Sequence, residues 1–320
     1  MINKLGQIFN KKFRGIFILI VILILLPFIV RNNYFQYILI LSMLYAVVAS
    51  NWDLTFGYFG MFNFGHVAIF VSGGYVAAIL SKFYGISPWV SIILASLFSA
   101  ILCSIIVLPM LRVKGIYVVL ITYGFSQLLY QFILSQRNLT GGSLGIDLIP
   151  DIYFGNYSFA QNGKIAYYFL AFFLLIASTL FLTKLVKSKF GLSVIALKDY
   201  EEYAVSRGVN FGRQLILCFG ASALFTGAAG AVMAFYLGAL SPSMLGFGYL
   251  IIILSSILVG GINTIYGSIV GALILVVVSE LLVNIGAWRF IIIACLIIFI
   301  MRFFPKGIYP SVSKLYKRYM

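Results

Sequence analysis

The chain has 320 residues and a mass of 35.5 kDa; 63% of the residues are hydrophobic and 9% charged, where a soluble domain carries about 25% charged residues. So few ionisable side chains cannot cover a soluble fold of this size, which excludes that class and predicts a polytopic membrane protein. The formal charge of +15 comes from 22 Lys and Arg against 7 Asp and Glu. These residues cluster between apolar runs, as in loops facing the cytoplasm, rather than in a stripe for nucleic acid.

Ten apolar runs follow one another at residues 16–30, 34–49, 67–80, 88–110, 116–134, 165–182, 215–237, 249–260, 269–283 and 288–301. They lack the period-two alternation of a barrel. Segments in lipid must close their backbone hydrogen bonds internally, so each reads as a helix. The fold class is therefore all-α, a transmembrane bundle of about ten spans. Eight or nine crossings remain if the short runs flanking GGINTIYGS form a re-entrant hairpin. The basic start and first run resemble a signal peptide, but no small-residue cleavage pattern follows, so the run reads as an uncleaved first helix. With the N-terminus inside, ten crossings place 17 basic residues inside and five outside, namely Arg31, Lys82, Arg137, Lys164 and Arg289. The C-terminus then also lies inside. The chain reads as one transmembrane domain over 1–320. It has an external segment at 135–163, a cytoplasmic loop at 184–213 and a basic cytoplasmic tail at 303–320.

Polar residues within the apolar regions are few. Cys103, Cys218 and Cys295 lie inside apolar runs without CxxC spacing and read as small hydrophobes. His66 is the single histidine, so a site of several imidazoles is excluded, and neither a metal nor a cofactor is expected. Gly57, Gly60 and Gly65, with Asn63 and His66, interrupt one apolar region. Such a stretch either exposes free helix ends to a solute, as in transporters, or forms a close-packing face. His66 reads as a hydrogen-bonded structural residue rather than a proton relay, because no intramembrane acid partners it. Glu280 reads as an interfacial ion pair with Arg289, and Asp53 lies near the end of the second span. No chain of buried acids or arginines suggests ion coupling.

In the loop at 184–213, an amphipathic helix is expected over 192–206. Its apolar stripe would comprise Leu192, Ile195, Ala196, Tyr200, Tyr203 and Ala204, with a stop at Gly208. It could dock on a cytosolic partner or lie beneath the bundle. No nucleotide-binding loop occurs in the chain, so any ATP chemistry belongs to another subunit.

Four stretches carry a family likeness. They are GYFGMFNFGHVAIFVSGGYVAAIL; LRVKGIYVVLITYGFSQLL with LTGGSLGI; ALKDYEEYAVSRGVNFGRQLILCFGASALFTGAAGAVMAFYLGALSP; and ILVGGINTIYGSIVGALIL with FFPKGI. In this order, over about residues 45–308, the chain resembles the larger of the two paired permeases of ATP-binding-cassette importers for branched-chain amino acids. Urea-importer permeases are relatives. The resemblance implies a second permease, two cytosolic ATP-binding subunits, an extracytoplasmic solute-binding protein, and leucine, isoleucine or valine as solute. It implies a coupling helix matching Asp199, Glu201, Glu202, Ala204 and Gly208. The interrupted segment itself, with Gly57, Gly60, Asn63, Gly65 and His66, is the expected solute path. Asp147 and Asp151 in the external segment are candidate contacts for the binding protein. Tyr203 or Val205 stands where the family commonly has a second alanine, and Met61 and Phe62 stand where a polar residue is common. Urea or a short amide is the alternative solute. A stand-alone secondary transporter is the alternative class.

Overall fold

The computed structural model describes residues 32–311 apart from 156, 160–163 and 287, together with 27 and 314. The expected first span at 16–30 and the end of the basic tail lie outside the described residues. The remaining nine apolar runs all form helices where expected. They are α1 Asn33–Asp53, α2 His66–Tyr84, α3 Pro88–Ile106, α4 Ile116–Ser135, α5 Ile165–Lys187, α8 Phe211–Leu237, α9 Phe247–Gly260, α10 Ile265–Leu281 and α11 Trp288–Phe303. Two short helices, α6 Lys189–Asp199 and α7 Glu201–Ser206, occupy the polar loop. Among the described residues the only strands are β1 Tyr153–Phe154 and β2 Tyr157–Ser158, a small antiparallel hairpin.

Seven of the described helices are long and apolar enough to cross a membrane, while α9 and α10 are shorter. The 14 residues of α9 rise about 21 Å, less than a hydrocarbon core of about 30 Å. These two helices lie against each other through glycine. A Cβ on Gly260 would strike the Gly267 carbonyl, and one on Gly271 the Ser256 carbonyl. The turn between them uses Gly261 and Asn263 at positive φ, 118° and 64°, a conformation that asparagine tolerates better than most residues.

Helix α1 runs through the middle of the bundle and packs against α2, α5, α8 and α10. Lipid tails are as apolar as leucine, so such helices associate by close packing at small residues. Helix α8 does this on two sides. Gly227 faces Ser99 of α3, and Gly230 abuts the Phe70 carbonyl of α2.

The loops form two layers, one at each end of the bundle. In the first, Trp89 Nε1 donates to the Tyr153 carbonyl at 3.0 Å, Ile146 bridges Leu240, and Lys82 pairs with Asp147. In the second, Lys114 pairs with Glu201, and Gly261 lies against Lys306 and Gly307. Each contact joins segments that an alternating helix order assigns to one end.

Two expectations are corrected. Glu280 and Arg289 form no ion pair; Arg289 instead lies over the Phe290 ring at 4.9 Å, an arrangement favoured by the ring quadrupole. The expected single helix over 192–206 is two helices, because the backbone leaves helical geometry at Tyr200 (φ −149°, ψ 84°). Its buried face is also different. Val194, Leu197 and Ala204 pack with Leu215, Cys218 and Phe219, whereas Leu192, Tyr200 and Tyr203 are exposed. The core beneath is built by α8, which favours the face carrying Val194 and Leu197.

Candidate functional site

The joint between α1 and α2 holds Gly57, Gly60, Asn63, Gly65 and His66. At its end α1 widens into a π-turn, Leu54–Tyr58, with the Phe59 N–H donating to the Leu54 carbonyl at 3.1 Å. The chain then leaves the helix at Gly60, where φ is 79°. A widened turn leaves carbonyls without intrahelical partners.

Asn63 organises the restart. Its Oδ1 accepts from the Gly65 N–H at 2.7 Å, and its Nδ2 lies 3.0 Å from His66 Nδ1. With the amide oxygen already engaged, the amide NH2 is the group facing the ring, so it donates to Nδ1 and the imidazole carries its proton on Nε2. Nε2 is buried without a hydrogen-bond partner among the described residues, with the Ser222 backbone of α8 near the ring. His66 also stacks on Trp52 of α1, with centroids 5.7 Å apart and planes 7° apart. The Phe64 N–H donates to Thr122 Oγ1 of α4 at 3.0 Å. Asn63 and His66 are 2% and 0% exposed, so they form a hub inside the subunit. The lip of the joint, with Gly60 and Phe62, is exposed.

Asp53 fixes the other side. Its Oδ1 accepts from the Asn263 N–H at 3.0 Å, just ahead of α10, where a helix N-terminus favours negative charge. Only glycine fits at position 57, since a Cβ there would lie 2.6 Å from the Asn263 nitrogen. The Gly57 carbonyl, in the π-turn, accepts from Lys198 Nζ of α6 at 2.6 Å. The Lys198 methylenes cover Gly60. Helix α6 therefore touches the broken segment directly.

Of the residues matched to the coupling helix, Asp199, Glu202 and Gly208 are exposed. Glu201 is held by Lys114 Nζ at 2.8 and 2.9 Å. Ala204 is 3% exposed and packs within this chain. Gly208 closes α7 at φ 89°, with Gly208 N–H to Val205 carbonyl at 2.9 Å and Val209 N–H to Ala204 carbonyl at 3.1 Å. That pair of bonds is a Schellman closure, which needs a left-handed residue.

Both outer acids are engaged inside the chain. Asp147 takes Lys82 Nζ at 3.0 Å, and the lysine's hydrogen bond and charge hold its carboxyl below the usual value. Asp151 accepts from Ser158 Oγ and from the Tyr167 hydroxyl. The same layer exposes Leu144, Leu148 and Phe154.

Sequence reasoning missed four features. Lys198, Asn263 and Thr122 act through backbone groups that no residue pattern announces, although the Gly-Gly-Ile-Asn turn hinted at Asn263. The fourth is an exposed polar face on α4 made by Tyr123, Gln127 and Gln131. Its i, i+4, i+8 spacing within an apolar span was the available signal.

Comparison with known proteins agrees with the helical plan. The family described as branched-chain amino acid transport system permease component matches residues 34–301. The chain is 26% identical over 313 residues to the high-affinity branched-chain amino acid transport system permease protein LivM of Salmonella typhimurium, covering 91% of this chain and 73% of that protein. It is 24% identical to the LivH permease protein of the same system and organism, covering 84% and 93%. The galactose/methyl galactoside import permease protein MglC of Escherichia coli is 27% identical over 189 residues, covering 56% of this chain and 54% of that protein. No solved structure matches. With nearly the whole described bundle inside the matched region, the chain belongs to the family of branched-chain amino acid transport system permease components.

Proposed function

We propose that this chain is a membrane subunit of an ATP-driven importer in the bacterial cytoplasmic membrane, forming with a second, related permease the path for leucine, isoleucine or valine. The observation that carries the reading is coverage. The likeness to LivM runs through 91% of the chain, whereas that to the sugar permease runs through 56%. LivM and LivH, two permease proteins of one named system, both match most of it, which favours a homologous partner. ATP hydrolysis belongs to two cytosolic subunits, and an extracytoplasmic binding protein delivers the solute.

The geometry supports a division of labour. Leu192, Tyr200, Tyr203 and Val205 expose apolar surface at the end that carries α6 and α7, which suits docking on an ATP-binding subunit. Glu202 and Asp199 supply charge at its rim. At the other end Leu144, Leu148 and Phe154 suit the binding protein. With Asp147 and Asp151 engaged internally, apolar contact rather than charge dominates there. Lys198 links the docking surface to the broken segment. The Asn63 and His66 hub shapes that segment, and the solute passes along its exposed lip and the polar face of α4. Glutamine facing lipid is costly, so a watery path or partner suits Gln127.

The orientation follows from the basic residues, with ten spans and both termini inside. A cysteine at Phe154 should react with an impermeant reagent outside intact cells, and one at Tyr200 should not; the reverse pattern rejects the orientation. The function is tested in proteoliposomes holding both permeases and both ATP-binding subunits. With ATP and binding protein, labelled leucine should accumulate while urea and galactose do not. Accumulation by this chain alone under an ion gradient would overturn the reading.

A further inference from the structure

A second polar feature lies at the opposite end of the bundle from Lys198. Between α1, the end of α8, the 239–244 loop, α9 and α10 is a cavity of about 260 Å³, smaller than the roughly 300–1,000 Å³ of drug-sized ligand sites. It therefore suits a small solute. Its lining includes the polar Glu280, Tyr37, Tyr45 and Tyr249 and the apolar Leu41, Met233 and Leu240.

The polar lining is not explained by the packing. Among the described residues Glu280 makes no ion pair, although Arg289 lies within electrostatic reach of it and of Tyr249. Tyr45 is 3% exposed, yet its hydroxyl has no hydrogen-bond partner among the described residues. Tyr37, Tyr249 and Glu280 all lie within electrostatic reach of that hydroxyl. Asp147 also borders the cavity, but Lys82 already neutralises it. An orphaned buried hydroxyl is costly and calls for a partner. An unpaired carboxylate among aromatic rings favours a cation, through charge-assisted hydrogen bonding and cation–π attraction.

We infer that this cavity is a receiving site for the imported amino acid, with the solute's ammonium group against Glu280 and the tyrosine hydroxyls and its side chain on Leu41, Met233 and Leu240. The inference rests on the transport reading and adds to it a named site within one subunit. A sugar would offer hydroxyls but no cation, and would leave Glu280 unpaired. The solute carboxylate, carried on the same carbon as the ammonium group, then meets the hydroxyls of Ser241 and Ser243, which also line the cavity.

The test uses the assembled importer in nanodiscs. Cys103 and Cys218 are buried and Cys295 is exposed, so Cys295→Ser is introduced first and Ser243→Cys then places a thiol at the cavity wall. Leucine should slow maleimide labelling of that thiol. 3-Methylbutylamine, which keeps the ammonium group, should also slow it, whereas 4-methylpentanoate, which lacks it, should not. Glu280→Gln should raise the leucine concentration needed for protection about tenfold or more. If that variant fails to assemble, Tyr45→Phe, which removes only a hydroxyl, should weaken protection by about threefold or more. Labelling indifferent to leucine, isoleucine and valine would overturn the site, as would equal protection by the acid. Uptake of leucine by the unsubstituted complex, measured alongside, judges the transport reading separately. Uptake without protection removes the site alone, and absence of uptake for every branched-chain amino acid removes the reading beneath it.

Discussion

Replacing Lys198 with methionine should cut solute uptake by about tenfold or more while leaving ATP hydrolysis in the assembled complex within about twofold of the unsubstituted rate. The ammonium group donates to the Gly57 carbonyl at 2.6 Å, and a hydrogen bond from a charged donor contributes about 1.5–3 kcal/mol. At 1.4 kcal/mol per tenfold change, that shifts a two-state equilibrium by about ten- to a hundredfold. Methionine keeps the methylenes that cover Gly60 and removes only the donor. The carbonyl it served belongs to a π-turn and has no helical partner in reserve. A displacement of α6 by a docked ATP-binding subunit therefore reaches the broken segment through this bond. Lys198→Arg, which keeps a donor, should restore part of the uptake. A purely structural role would lower assembly, hydrolysis and uptake together, and unchanged uptake would show the bond to be idle.

The junction explains why position matters more than residue class here. Helix placement was legible in the sequence because lipid leaves the backbone no alternative, so every apolar run with described coordinates is helical. Glycine 208 was also legible, since α7 ends on a residue at φ 89°. The amphipathic stripe was not. The pattern of Leu192, Ile195 and Tyr200 obeys a helical period, but period alone does not say which side the neighbouring helix covers. The chain broke at Tyr200, and Val194 and Leu197 took the buried face. Ala204 illustrates the same limit, since a small residue suits a partner's groove and this chain's own core equally well. Asn63 and His66 meet beside the glycines of the joint, as their closeness along the segment suggests. Their burial, however, comes from Trp52 and Thr122 on two other helices, which spacing along one segment cannot disclose. Charge pairs were least legible. Glu280 was expected beside Arg289, but stacking on Phe290 holds the guanidinium elsewhere.

A cysteine at Gln127 should be reached by a hydrophilic, membrane-impermeant thiosulfonate in the assembled importer, at a rate at least about tenfold above that of a cysteine at Leu128. The two residues are neighbours on α4 and both are exposed in the isolated subunit, so depth in the membrane is nearly the same for each. They differ in direction. Gln127 continues the row of Tyr123 and Gln131, one turn apart, whereas Leu128 belongs to the apolar side with Leu120. A thiol in hydrocarbon stays protonated and unreactive, while one in water ionises and attacks. Gln127→Leu should correspondingly lower uptake by about tenfold, because a polar solute then loses a neutral hydrogen-bonding partner along its path. Assembly with the second permease should persist, since leucine fits a helix as well as glutamine does. Equal reactivity of the two cysteines, or full uptake by Gln127→Leu, would place the path on another face of the bundle. Thr122 and Ser126 give that outcome a structural meaning. They face inward on the same helix and hold Phe64 through its N–H and carbonyl. A shift of the broken segment therefore moves α4, and with it the row carrying Gln127, so the proposed path and the proposed coupling helices share a common set of backbone contacts.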